Sequence, residues 1–398
     1  MRLKSPKLRR APGWNRRRRG IALILVMLVI MVLAVMASTF NSNMSVEAAL
    51  ARNAYNDRRL EWLCRSGVEL ARYMVGQQFA DGNLRNENYD ALIQRWAGGP
   101  GSFAAQEDCV LNAVNLNETG MVEGSPLWFL QTGDEDWDNY LNAASLKVTI
   151  VDLESKMNIN WVAQEHHSRE AIKPVMQEVL KIENTVQDTI LDSLVDWVDL
   201  DDDPRINGME SREYEPFGYN AKNGLIDDMS ELLLLNGIRG EREWLITGEI
   251  PLDEAGVEVL DEDMRPSMFI PDLFTVVSRG KINLNTAPLE VLQMVAPSMM
   301  DYTNQIKQFR EGFDGVLGTE DDGYFDSLDP LLGSDIGMDR GVVSSLSGFL
   351  WWHSQTYEVT VSAVVENQAK TLVAIVRREN DREEEVRVLY SYWKDTGR

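Results

Sequence analysis

The sequence predicts an α+β chain in which an N-terminal membrane helix runs on to pack against a small antiparallel sheet, with a large all-helical insertion interrupting the sheet. Three observations predict it. One uncharged apolar run, Gly20–Phe40, is long enough to cross a bilayer as a single helix. Alternating apolar and polar residues cluster around 146–153 and again near the C-terminus, as half-buried strands do. Between these clusters lies a long stretch with helical periodicity, introduced twice by the pattern Lys-x-Asn-x-Asn.

Taken in order, residues 1–20 form a basic leader, with nine Lys or Arg and no acid before Gly20. Arg16, Arg17, Arg18 and Arg19 hold that side of the apolar run in the cytoplasm. Val35-Met36-Ala37 leaves open the alternative of an ordinary secretory signal peptide. Residues 21–76 read as a transmembrane and stalk helix, since 41–75 contain no proline and only one glycine, Gly67. Leu60, Leu63, Gly67, Leu70 and Met74 share one face of that stalk.

Residues 77–160 form an α/β part ending in the strand Leu146–Leu153. A helical insertion with an acidic loop occupies 161–280, its clearest helices at Ala171–Lys181 and Thr185–Val198. A second helical module spans 281–350, with Thr286 expected as N-cap of a helix carrying Pro288 and Glu290 in its first turn. The two modules open on near copies, Lys156-Met-Asn-Ile-Asn160 and Lys281-Ile-Asn-Leu-Asn285. Residues 351–398 close the chain with antiparallel strands around 357–365, 371–376 and 386–393.

The formal charge is −24, and without the leader the body is nine charges more acidic still. Such a body repels phosphate backbones and attracts cations. Cys64 and Cys109 are the only cysteines, so no disulfide framework holds the fold. Three histidines make a His-rich metal centre improbable, and no Gly-x-Ser-x-Gly elbow, Cys/His couple or phosphate loop is present.

The join of a basic leader, Gly20 and Ile21-Ala-Leu-Ile-Leu25 resembles a type IV pilin or pseudopilin, whose leader is cut after such a glycine by the prepilin peptidase. Leu194-Val-Asp-Trp-Val-Asp-Leu-Asp-Asp-Asp-Pro204, Asn207-Gly-Met-Glu210, Tyr214, Asn223-Gly224, Ser230-Glu-Leu232 and Lys281-Ile-Asn-Leu-Asn-Thr-Ala-Pro288 narrow the likeness. Together they resemble the K-type minor pseudopilin of type II secretion systems. The resemblance implies a pilin-like fold, cleavage between Gly20 and Ile21, and a periplasmic soluble domain held at the inner membrane. It also implies other minor pseudopilins and the major pseudopilin fibre as partners, and a structural rather than enzymatic role. Leu25 stands at the fifth position after the cut, where most pilins carry a glutamate that pairs with a neighbour's amine. A subunit without that acid is suited to the end of a fibre.

The candidate metal site is Asp199, Asp201, Asp203 and Glu210, at positions one, three, five and twelve of a loop. Hard cations such as calcium take six to eight oxygen ligands, and clustered carboxylates repel one another without one. Pro204 stands where an EF-hand requires glycine, so the loop is not an EF-hand. The resemblance implies instead a calcium loop of another kind to which these four acids contribute. A solvated acidic turn is the alternative. Asp228, and Asp321, Asp322 and Asp326 of a second glycine-rich acidic stretch, are possible further ligands. Two other function classes compete: a helix-hairpin-helix protein binding DNA, disfavoured by the acidic balance, and a membrane-anchored calcium-dependent hydrolase, for which no pocket is marked.

Overall fold

The computed structural model describes residues 17–80, 89–97, 111–114, 127–130, 144–252, 258–319, 321–365, 368–379 and 386–394. Residues 1–16, Cys109 and Glu320 lie outside them, and with Cys109 the question of a Cys64–Cys109 pair. The chain divides into two compact units at Arg59/Leu60. Helix α1 (Arg17–Ala80) begins in the first and ends in the second. In the first unit its apolar residues from Ala22 to Phe40, Leu25 among them, are exposed, and among the described residues it is the one helix long and apolar enough to cross a membrane. Gly20 and Ile21 fall inside this helix.

The second unit is built on a four-stranded antiparallel sheet, in the order β10 (Val386–Lys394), β9 (Gln368–Arg378), β8 (Thr356–Val365), β3 (Ala144–Asp152). The alternation of Tyr357, Val359, Val361 and Ala363 puts these side chains on one face, where Leu60, Cys64, Val68, Ala71, Met74 and Val75 of α1 cover them. Burial of each large aliphatic side chain here contributes about 1.5–3 kcal/mol. The buried stripe is rotated slightly from the expected one, with Leu63 and Leu70 at its margin. Small residues set that rotation. A Cβ on Gly67 would sit 2.5 Å from Val361 Cγ1, so glycine lets helix and sheet approach closely. A second, two-stranded antiparallel pair joins β1 (Leu111–Val114) and β2 (Leu127–Leu130).

β3 and β8 are sheet neighbours, so everything from 153 to 355 is inserted between two adjacent strands. Among its described residues the insertion consists of helices and loops, and its only strands are two two-residue parallel pairs. β4 (Met157–Asn158) pairs with β5 (Phe274–Thr275), and β6 (Ile282–Asn283) with β7 (Leu350–Trp351). Each pair closes one module at its Lys-x-Asn-x-Asn opening, and the asparagines do equivalent work in both. Asn158 Oδ1 accepts from Asn160 N, and Asn283 Oδ1 from Asn285 N, each at 2.9 Å. Asn160 then donates to the carbonyl of Ile226 and accepts from its N–H, at 3.0 and 2.8 Å. Asn285 does the same to Phe325, at 2.9 and 2.7 Å.

Within the modules, α2 (Arg169–Val179) packs its apolar face on α3 (Asn184–Val198) and on α4 (Leu289–Val295), and α5 (Thr303–Arg310) follows. One expectation fails. Pro288, not Thr286, is the N-cap of α4, because the Thr286 hydroxyl is used on buried Asp152 instead. The run Met229–Leu234 is a 3-10 helix, capped by Asp228, whose carboxylate accepts from Ser230 N at 2.7 Å.

Candidate metal centre

Helix α3 carries Asp188, Asp192 and Asp196 at four-residue intervals, which puts them on one face. Asp188 pairs with Lys173, and Asp192 Oδ1 with Arg169 Nη1 at 2.6 Å. Asn207 donates to Asp192 Oδ2 from its amide side chain at 2.9 Å and from its backbone at 3.2 Å. Burial works against the Asp192 carboxylate, but the bonds from Arg169 and Asn207 outweigh it and hold Asp192 below the usual carboxylate range.

Asp196 is different. Its Oδ2 accepts from Arg205 N at 3.1 Å, while Oδ1 has no hydrogen bond and sees only Arg205 Nε at 3.8 Å. Asp199, just past the helix end, and Glu210, at the start of the next short helix (Ser211–Tyr214), bring carboxylate oxygens within 4.8 Å of it and of each other. Asp196 and Glu210 are buried, with 0% and 1% of their surface exposed. Asp199 Oδ1 and both oxygens of Glu210 likewise have no hydrogen-bond partner. Gly208 crosses directly over the group; a Cβ there would fall 1.9 Å from Asp196 Oδ2.

A buried acid without a donor is costly in its ionised form. Burial first, and then mutual repulsion, push Asp196 up to about 6 and Glu210 up to about 7, and Asp199 is raised as well. A divalent hard cation would reverse all three effects, because it ligates carboxylate oxygens that nothing else satisfies. The donor set, oxygen only with no sulfur or imidazole, fits calcium or magnesium rather than a softer metal.

Of the expected ligands, Asp199 and Glu210 therefore meet. Asp201 and Asp203 do not join the group: both are exposed, and Asp201 Oδ1 accepts from Asp203 N at 3.0 Å in a local turn. Asp228 is occupied as a helix cap elsewhere. Asp196 is the residue that loop spacing missed. The helical period would have found it, three residues before Asp199 and four after Asp192.

The second acidic stretch brings Asp314, Asp321 and Asp322 together, and Asp326 stays outside this group. Here the loop's own backbone serves the acids. Phe313 N donates to Asp321 Oδ2 at 2.6 Å and Gly318 N to Asp322 Oδ2 at 2.6 Å, while Thr319 Oγ1 reaches Asp321 Oδ1 at 2.9 Å. The Thr319 hydroxyl and then the Phe313 amide hold Asp321 below its ordinary range.

Comparison with known proteins finds a family model that matches around this site. Residues 155–242, which include all of the first acidic group, match the family described as type II secretion system (T2SS), protein K. The type II secretion system protein K of Klebsiella pneumoniae is 23% identical over 233 residues, taking in 56% of this chain and 59% of that protein's length. A chain in the crystal structure of the GspK–GspI–GspJ complex of the enterotoxigenic Escherichia coli type 2 secretion system superimposes with a TM-score of 0.57. That likeness, at 16% identity, covers 87% of this chain and 99% of the other, and it shows a shared fold. With an apolar N-terminal helix, a stalk packed on a small antiparallel sheet and a helical insertion that carries the matched region, the chain is similar to protein K of the type II secretion system, in sequence over residues 155–242 and in fold over most of its length.

Proposed function

We propose that this chain is a minor pseudopilin that caps the pseudopilus of a type II secretion system and helps start its assembly, for export of folded proteins across the outer membrane. It acts as a structural component and not as an enzyme. The prepilin peptidase removes the leader between Gly20 and Ile21, and Ile21–Phe40 anchors the mature chain in the inner membrane with its soluble part in the periplasm. Its partners are other minor pseudopilins in a tip complex and, below them, the major pseudopilin fibre; nucleic acid is not among them.

The observation that carries this reading is topological. Residues 153–355 emerge between two neighbouring strands of the sheet that covers the stalk, a bulk suited to the end of a fibre rather than its interior. Leu25 agrees with that position: with no acid there, this subunit has nothing to offer a neighbour's buried amine. The Asp196, Asp199 and Glu210 group is the proposed calcium site, and its task is to fasten the loop 199–210 to the end of α3. Mass spectrometry of the mature protein gives the first test. An N-terminus at Ile21 and co-purification with other pilin-like subunits are expected; a secreted product starting at Ser38 overturns the reading.

A further inference from the structure

Where the helical modules join the sheet, six segments of chain meet around a buried charged node. Three carboxylates, Asp90, Asp152 and Glu154, share it with one guanidinium, Arg378, and all four are at least 95% buried. Arg378 Nη2 binds Asp90 Oδ2 at 2.6 Å and also donates to the Ser354 carbonyl, while its Nη1 reaches the carbonyl of Val75 in α1 at 3.4 Å. Asp152 Oδ2 accepts from the hydroxyls of Ser354 at 2.6 Å and Thr286 at 2.5 Å and from the Asn283 amide at 3.3 Å. Its Oδ1 accepts from Glu154 N at 2.8 Å.

Glu154 is the unbalanced member. Its Oε2 accepts from Thr356 N at 2.8 Å and Gln355 N at 3.2 Å, and its Oε1 has no partner. Among the described residues no cation is hydrogen-bonded to it, and Arg378, which also feels its charge, is shared with Asp90. Arg378 is committed to Asp90, Arg377 Nη2 donates to the Val277 carbonyl, and Lys156 Nζ donates to the Pro271 carbonyl. Tyr357, the remaining titratable group packed here, donates its hydroxyl to the Ser354 carbonyl.

We infer that Glu154 is a proton-operated latch in this joint: the folded chain holds its Oε1 protonated in mildly acidic surroundings, and loss of that proton in alkaline surroundings leaves two uncompensated buried charges and loosens the helical modules from the sheet. Burial, followed by the charge of Asp152, pushes Glu154 up to about 7. The sign follows from that direction. The unfolded chain releases the proton near the ordinary glutamate value of about 4.3, so the latch's contribution is full below that value and is lost as pH rises through the folded value.

The test compares melting temperatures of the full chain in detergent, wild type against Glu154→Gln, across pH 5 to 9 at one fixed calcium concentration. Gln has the shape of the protonated acid and does not titrate. The variant is expected to match wild type near pH 5 and to exceed it by at least about 3 °C near pH 9. The metal loop is the same in both proteins, so its own pH response cancels. Parallel curves overturn the inference. If the variant does not fold, infrared spectra of a glutamate-labelled Glu210→Gln chain decide instead. A protonated buried glutamate band that fades above neutral pH supports the latch, and its absence at pH 6 overturns it.

Discussion

The two acidic loops look alike as text and differ as chemistry. Both follow a helix of their module, both are dense in aspartate, and both lead to a residue gripped by the second asparagine of the module's opening, Ile226 or Phe325. In the loop 313–322 the carboxylates face backbone N–H groups and a threonine hydroxyl. At the loop 199–210, Asp199 and Glu210 turn inward on Asp196 of α3, and four buried oxygens of these three acids find no hydrogen-bond donor. Charge density therefore does not separate the two loops, whereas the number of unanswered buried oxygens does.

The largest expected effect follows from that difference. Calcium at a hundredfold excess over its Kd should stabilise the wild-type fold by about 2.7 kcal/mol, a shift visible in a melting curve and reversed by chelation. Asp196→Ala should abolish this shift. If the shift survives in that variant and disappears in Asp321→Ala, the contrast between the loops is the wrong way round.

A pH series sharpens the same contrast in chelated protein. Asp196 and Glu210, raised to about 6 and about 7, contribute stability that is full below the ordinary carboxylate range and is lost as pH rises through those values. The chelated protein should thus melt lower at pH 8 than at pH 5.5, and saturating calcium should flatten or invert the slope. Asp321 is held low, so its contribution runs the other way, lost only as pH falls into the acid range.

Gly312→Ala probes the self-satisfied loop. The backbone there has φ +60°, and a Cβ would stand 2.5 Å from the Asp321 carbonyl oxygen. A loss of about 1–3 kcal/mol is expected, with the calcium shift intact. Asp203→Asn should do least, within about 0.5 kcal/mol and with calcium binding close to wild type, because the side chain is exposed and lies outside the group.

Much of the fold was legible beforehand because its signals are periodic. The strand β8 was readable from Tyr357 to Val365 since every second residue is apolar and buried. The helix α3 was readable to Val198, and the asparagine repeat marks the two short parallel strand pairs. The site was only half legible. Asp199 and Glu210 were found by counting along the loop, but that count led to Asp201 and Asp203, which point to solvent, and passed over Asp196. A carboxylate group assembled from a helix face and a loop obeys two periods at once, and spacing within the loop reports only one. Thr286 shows the same limit: a good N-cap by local rules was claimed by Asp152, more than a hundred residues away.

The close approach at Gly67 has a mechanical meaning. With Val361 seated where a side chain would otherwise stand, the stalk and the sheet are keyed together at one height. Sliding the helix by one turn would bring the side chain of Cys64 or Ala71 into a notch shaped for a single hydrogen. A thrust delivered along the helix axis from below would then be carried into the strands as shear and not dissipated as slip.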